Sequence, residues 1–232
     1  MEMRIQKYLS SEGILSRRKT EEYLLKGWIK VNGEVVTEPG RKIDPEKDIV
    51  ELSEELIQLK QDYRYIKVYK PRGIFTNLPS EGEKEVLDLL PEEYKNLHSV
   101  GRLDKDSEGL ILFTNDGIFA KQFLNTQDLH EREYIVVVNI EITDEIITQL
   151  EEGVFLKGKK TLPSKVVLIN SNEFHFILKE GRNRQIRKMI NKVGGEVIRL
   201  IRIRIGNIVL DNLKPGDYKP LSETEIKSLK HT

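Results

Sequence analysis

The chain contains no cysteine. That excludes disulfides and thiolate-held metals and accords with a reducing compartment. No apolar run approaches the ~20 residues that cross a bilayer. The opening MEMRIQKYLSSEG lacks the apolar core of a signal peptide. The expectation is a cytoplasmic protein without membrane contact. Net charge is missing too, since 38 Lys and Arg balance 38 Asp and Glu. Nucleic-acid-binding domains are usually basic, so the total argues mildly against such a ligand. There is no Gly-rich phosphate loop of the Walker or Rossmann kind and no nucleophile elbow. His98, His130, His175 and His231 lack metal-ligand spacing. They are read as structural or surface residues, and neither metal nor cofactor is expected.

What is present is a chain of 232 residues, 38% of them apolar. That suffices for one large domain, or a large one and a small one. Residues 1 to about 52 look like a small unit. Ile5, Tyr8 and Leu9 form a helical stripe that Gly13 stops. Ser16 is placed to cap a second helix running to Lys26, with Gly27 as its end. Asn32-Gly33 between two short apolar runs is a hairpin signal. Residues 53 to 62 read as a linker, which sets domains of 1–60 and 61–232.

The larger part alternates strands and short helices. Strands are expected at Tyr65–Tyr69, Leu110–Thr114, Tyr134–Val138, Val166–Ile169, Glu173–Leu178 and Val197–Ile205. Helices are expected over Glu83–Leu90, after Asn115-Asp116-Gly117, over Asp144–Leu150 and over Arg184–Val193. Ser222 and Glu225 suit a capping box for a last helix. Strands are the more numerous and often consecutive, so the fold class is α+β around a mixed, largely antiparallel sheet.

Two segments carry candidate chemistry. In the first, His98 to Phe113, a charged, Gly-flanked loop runs into an apolar strand. Asp104 lies between Arg102 and Lys105, cations that favour its charged form. That suits a nucleophile or charge stabiliser more than a general acid. On pattern alone, a turn with solvated charges remains the plainer reading. In the second, nine basic residues fall between Lys179 and Arg204, opposed only by Glu180 and Glu196. Arg184, Arg187 and Lys188 share a helix face away from Ile186, Met189, Ile190 and Val193. Strand alternation then puts Leu200, Arg202 and Arg204 on one side, with Ile201, Ile203 and Ile205 on the other. Such a surface suits a phosphate backbone, the rival being a salt-bridged, solvated face. Arg4, Lys7, Arg17, Arg18 and Lys19 form a weaker basic group near the first two helices. Tyr134 opens a strand, either as core or as a platform for a stacked base.

Gly101-Arg102-Leu103-Asp104-Lys105-Asp106-Ser107-Glu108-Gly109-Leu110 resembles the signature loop of pseudouridine synthases. The similarity is to the RsuA/RluB/RluE/RluF branch, which modifies bacterial ribosomal RNA. Lys70-Pro71-Arg72-Gly73 is similar to that branch's first motif. The segment from Glu180 to Met189 is similar to its third. Residues 3 to about 50 resemble the S4 RNA-binding domain, a helix-helix-hairpin unit. Two substitutions depart from the usual pattern: Ser107 stands for a Thr, and Arg132 for a Lys.

The resemblance implies a catalytic domain with a cleft across its sheet. It implies Asp104 as the essential aspartate, Arg187 as the cation paired with it, and Tyr134 as the aromatic stacked on the target uracil. Leu200 would line the uracil pocket and Arg102 would help hold the target out of its helix. Leu103, Lys70, Arg182, Arg184, Lys188, Arg202 and Arg204 are further expected substrate contacts, with the N-terminal basic group as S4 contacts. The implied reaction is isomerisation of a specific uridine in ribosomal RNA, large-subunit favoured over small-subunit, by a monomer acting on free RNA or an assembling subunit. Two rivals stand beside it. A non-catalytic ribosome-assembly protein explains the basic faces but not the catalytic set. A nucleoside or sugar hydrolase using Asp104 and Asp106 lacks a recognisable water-activating pair.

Overall fold

The structure is a computed structural model that describes residues 1–61, 63–124 and 130–230. His231 and residue 62 lie outside them. The chain divides into two compact units: Met1–Arg64 with Thr114–Gln122, and Tyr65–Phe113 with Phe123–Thr232.

The first unit begins with β1 (Met3–Arg4), α1 (Ile5–Ser11) and α2 (Arg17–Leu25). Ser16 caps α2, its hydroxyl accepting from the Lys19 amide at 3.3 Å. Then come β2 (Ile29–Val31), β3 (Glu34–Val35), β4 (Lys42–Ile43), β5 (Val50–Leu52) and α3 (Glu54–Gln61). Asn32 and Gly33 both adopt positive φ, 53° and 82°, as a two-residue hairpin between β2 and β3 requires. Ile5, Leu9, Leu15, Leu24, Ile29, Val31, Ile43 and Leu56 form its core. The supposed linker is therefore mostly helix. Burial of Leu56 stabilises a polar turn that its composition alone does not.

The second unit is built on a nine-stranded sheet. In chain order its elements are β6 (Tyr65–Lys70), β7 (His98–Val100), β8 (Glu108–Thr114), α4 (Gly117–Leu124), β9 (Arg132–Val138), α5 (Asp144–Glu152), β10 (Phe155–Leu156), β11 (Lys159–Lys160), β12 (Lys165–Asn170), β13 (Glu173–Leu178), α6 (Gln185–Lys192), β14 (Val197–Ile205), β15 (Ile208–Val209), β16 (Tyr218–Pro220) and α7 (Glu223–Lys230). β10 and β11 pair as a separate hairpin, and α4 straddles the unit boundary. The main path runs β12-β13-β9-β14-β8-β6-β16, with β7 beside β8 and β15 beside β14. β8 is parallel to β14, whereas β12/β13, β13/β9, β9/β14 and β16/β6 are antiparallel. The fold is α+β, as expected. Ser222 and Glu225 close their capping box at the start of α7.

Two local expectations fail. Glu83–Leu90 is not an α-helix; only Val86–Leu89 coils, as a 3-10 turn held by Glu85 and Asp88. In β14 the register shifts between Arg202 and Arg204. The extra residue reverses the inward and outward alternation beyond it. Strict alternation put Arg204 beside Leu200 and Arg202. In the structure Ile205 joins them instead.

Candidate active site

The Asp104 loop is fixed from several sides. Its C-terminal end enters β8 at Gly109, whose φ is +107°. A Cβ there would stand 2.3 Å from the Arg202 carbonyl oxygen and 2.7 Å from its nitrogen. Only glycine allows β8 to start this close to β14. On the N-terminal side, Thr76 and Leu103 exchange two hydrogen bonds, the Thr76 hydroxyl donating at 2.8 Å and accepting at 3.0 Å. Beneath the loop lies Lys70, fully buried. Its ammonium donates to the carbonyls of Ser107 (2.7 Å), Pro71 (3.0 Å) and Lys105 (3.3 Å). Burial pushes it down to about 8. Lys70, expected as a substrate contact, thus supports the loop from inside the protein and is not among the residues lining the cavity described below.

Arg187, expected to pair with Asp104, instead holds backbone. It donates to the carbonyls of Asp106 at 3.0 Å and Val197 at 3.2 Å, with Ser107 Oγ at 3.5 Å. Burial, and then the nearby Arg184, pull its guanidinium below the ordinary arginine value. Among the described residues, the cation within ion-pair range of Asp104 is Arg184, 3.6 Å away and also 3.7 Å from Asp106. Arg184 reaches there because it takes the left-handed conformation, φ 49° and ψ 39°, at the N-cap of α6. Helix spacing does not reveal that geometry.

These residues line one cavity of about 480 Å³. Asp104, Arg102 and Leu103 come from the loop, and Tyr134 and Arg132 from β9. Leu200, Arg202 and Ile205 come from β14, and Arg182, Arg184 and Arg187 from the third motif. Tyr134 lies opposite Arg202 in the β9/β14 register. Arg102 is exposed at the cavity, whereas Leu103, Tyr134 and Leu200 are buried. Arg182 is held by Glu180 (3.0 Å) and by the carbonyls of Lys159 and Lys160 (3.0 and 2.6 Å). An aromatic face, apolar walls, the Asp104 and Glu180 carboxylates and several guanidiniums suit a flat, polar ring attached to anionic phosphates.

Lys188 and Arg204 are not in this wall. Lys188 is tied to Asn183, at 2.6 and 2.9 Å. Arg204 is held by Glu133 at 2.7 Å and Glu131 at 3.1 Å. Local scarcity of acids was misleading, because β9 brings carboxylates from elsewhere in sequence. Arg199 is likewise paired at 2.7 Å with buried Glu108, which also accepts from the Tyr69 hydroxyl at 3.1 Å. Burial alone would raise the Glu108 carboxyl; these bonds outweigh it and hold it below the usual range. Sequence reasoning missed Glu108, Thr76 and Gln185, whose partners are distant or lie across a turn. Gln185 bonds Glu180 at 2.8 Å and accepts from the Arg182 amide at 2.9 Å.

In the first unit Arg4, Lys7, Arg17, Arg18 and Lys19 are all exposed. Lys19 pairs with Glu22 at 2.8 Å. Among the described residues no cluster of ligands fits a metal ion. No described helix is long and apolar enough to cross a membrane.

Comparison with known proteins gives concordant matches. A family model described as RNA pseudouridylate synthase matches residues 64–192, and one described as S4 domain matches residues 3–50. The chain is 35% identical over 234 residues to the ribosomal large subunit pseudouridine synthase B of Bacillus subtilis (strain 168), spanning 98% of this chain and 95% of that protein. It is 35% identical over 229 residues to the dual-specificity RNA pseudouridine synthase RluF of Escherichia coli (strain K12), spanning 98% of this chain and 78% of that one. A solved structure described as a pseudouridylate synthase superposes with a TM-score of 0.72 at 26% identity, covering 98% of this chain and 99% of that chain.

Proposed function

Because this chain belongs to the RNA pseudouridylate synthase family and carries an S4 domain, we propose that it converts one uridine of ribosomal RNA to pseudouridine, with Asp104 as the catalytic carboxylate. A large-subunit target is favoured, in line with the name of the Bacillus relative, a ribosomal large subunit pseudouridine synthase. The carrying observation is the convergence of Asp104, Tyr134, Leu200 and three third-motif arginines on one cavity.

The target base leaves its stack to enter this cavity, since its reacting atoms are inaccessible inside a helix. Tyr134 and Leu200 then hold its faces, and exposed Arg102 occupies the opened helix. Arg182 and Arg184 lie where flanking phosphates pass. Arg184 gives up its long, solvent-accessible contact with Asp104 at little cost. Arg187 keeps the loop backbone in place, so the carboxylate meets the sugar or ring in one orientation. Asp104 attacks the ribose, adds to the uracil, or removes a sugar proton; the three routes share the same placement.

Purified protein is incubated with unmodified ribosomal RNA and with partly assembled subunits. Pseudouridine is mapped by chemical labelling and primer extension, with Asp104→Asn in parallel. A new large-subunit site with wild type alone is the expected result. Equal binding by both proteins without modification by either would instead favour an assembly factor.

A further inference from the structure

Arg202 is the one buried arginine of the cavity wall, with 4% of its surface exposed. Its Nε donates to the Leu110 carbonyl at 2.7 Å, and its Nη2 is buried without a protein partner among the described residues. The groups acting on its charge are the Tyr134 phenol, a neutral partner that favours it through a side-chain hydrogen bond, and Arg132, a second cation. Burial dominates and pulls the guanidinium below its ordinary value. A desolvated cation without a carboxylate partner is costly unless an anion arrives. Neighbouring arginines solve that problem differently: Arg199 and Arg204, on the same strand, have carboxylates at 2.7 Å. Arg202 alone of the three is turned into the cavity, beside the Tyr134 ring.

We infer that Arg202 is a second catalytic group, which binds a carbonyl oxygen of the flipped uracil and stabilises the negative charge that the ring acquires during reaction. The inference rests on the proposed isomerisation. Heterolysis of the C1′–N1 bond leaves its electron pair on the uracil, spread over N1, O2 and O4. Addition of Asp104 to the ring puts the pair on the same conjugated carbonyl system. Loss of the C2′ proton expels the same uracil anion, and the proton returns on recombination. When C5 bonds to C1′, the C5 proton departs and N1 takes one up, so reactant and product are isomers. Each route therefore passes through one negative charge on the pyrimidine, at the place where the cation is unbalanced. A preorganised donor in a water-poor site acts most strongly on charge of that kind.

The full-length protein is compared with Arg202→Met and Arg202→Lys by single-turnover rate on the modified RNA, RNA dissociation constant and thermal unfolding. Removing one such donor is expected to slow Arg202→Met by about 100-fold or more. RNA affinity should stay within about threefold, with Arg202→Lys recovering part of the rate. An unchanged rate, or a loss that only follows weakened RNA binding, overturns the inference. A binding measurement on the free wild-type protein keeps the inference open to refutation even if the variants do not fold. Barbiturate, which has the uracil ring but is an anion at neutral pH, should bind at least about 10-fold tighter than uracil, as a charge-assisted partner should. Equal binding overturns the inference. Because this comparison needs no turnover, its failure is distinct from a failure of the wild type to modify RNA.

Discussion

Arg184 and Arg187 lie three positions apart in one motif and hold different parts of the same loop. Arg187 uses its fork on the backbone carbonyls of Asp106 and Val197, and Arg184 meets solvent-accessible carboxylates. Arg187→Ala should therefore cost about 1–3 kcal/mol of stability in denaturant unfolding. Arg184→Gln should stay within ~0.5 kcal/mol of wild type, since solvated pairs contribute little. Both should slow modification. Gly109→Ala puts a methyl into the Arg202 backbone at a positive φ. Overpacking and strain together should cost about 2–5 kcal/mol, read from the same unfolding curves. Lys70 supplies a pH signature. Its folded value, about 8, lies below that of an unfolded lysine, 10.5. Between these values the unfolded chain binds more protons, so the group's contribution makes stability rise with pH. That increment should vanish in Lys70→Met, seen as a difference in unfolding midpoint against pH. Asp104 and Tyr134, singled out in the sequence, both line the cavity. The buried role of Lys70 was not legible there, because a lysine beside a proline turn gives no sign of being enclosed.

At the scale of elements, β14 shows what a sequence pattern carries and what it omits. Its extent, Val197–Ile205, was readable from β-branched residues alternating with arginines. Its bulge was not, since a register shift depends on the strand alongside. Arg204 consequently faces Glu131 and Glu133 and not the cavity. Salt dependence of RNA binding separates these faces. Arg204→Gln should leave the slope of log affinity against log salt unchanged, whereas Arg184→Gln should reduce it by roughly 1. Similar physics governs α3, where one well-buried leucine converts a polar stretch into a helix, and the Asn32-Gly33 hairpin, where turn chemistry alone is decisive.

For the whole molecule, overall neutrality and a basic cavity are compatible because acids are distributed unevenly. Glu108, Glu131 and Glu133 cancel arginines outside the cavity wall and Glu180 holds Arg182, leaving Arg102, Arg132, Arg184, Arg187 and Arg202 in the wall around Asp104. The fold class was readable from consecutive strand signals, while the pairing order required the structure, as long-range ladders leave no local mark. The most direct test of Asp104-dependent isomerisation follows the proton that pseudouridine formation must release. Ribosomal RNA carrying tritium at uridine C5 is incubated with wild type and with Asp104→Asn. The expected result is release to water of tritium equivalent to one site per RNA with wild type and none with Asp104→Asn. Equal release by both proteins, or release by neither while both bind the RNA, would contradict Asp104 catalysis.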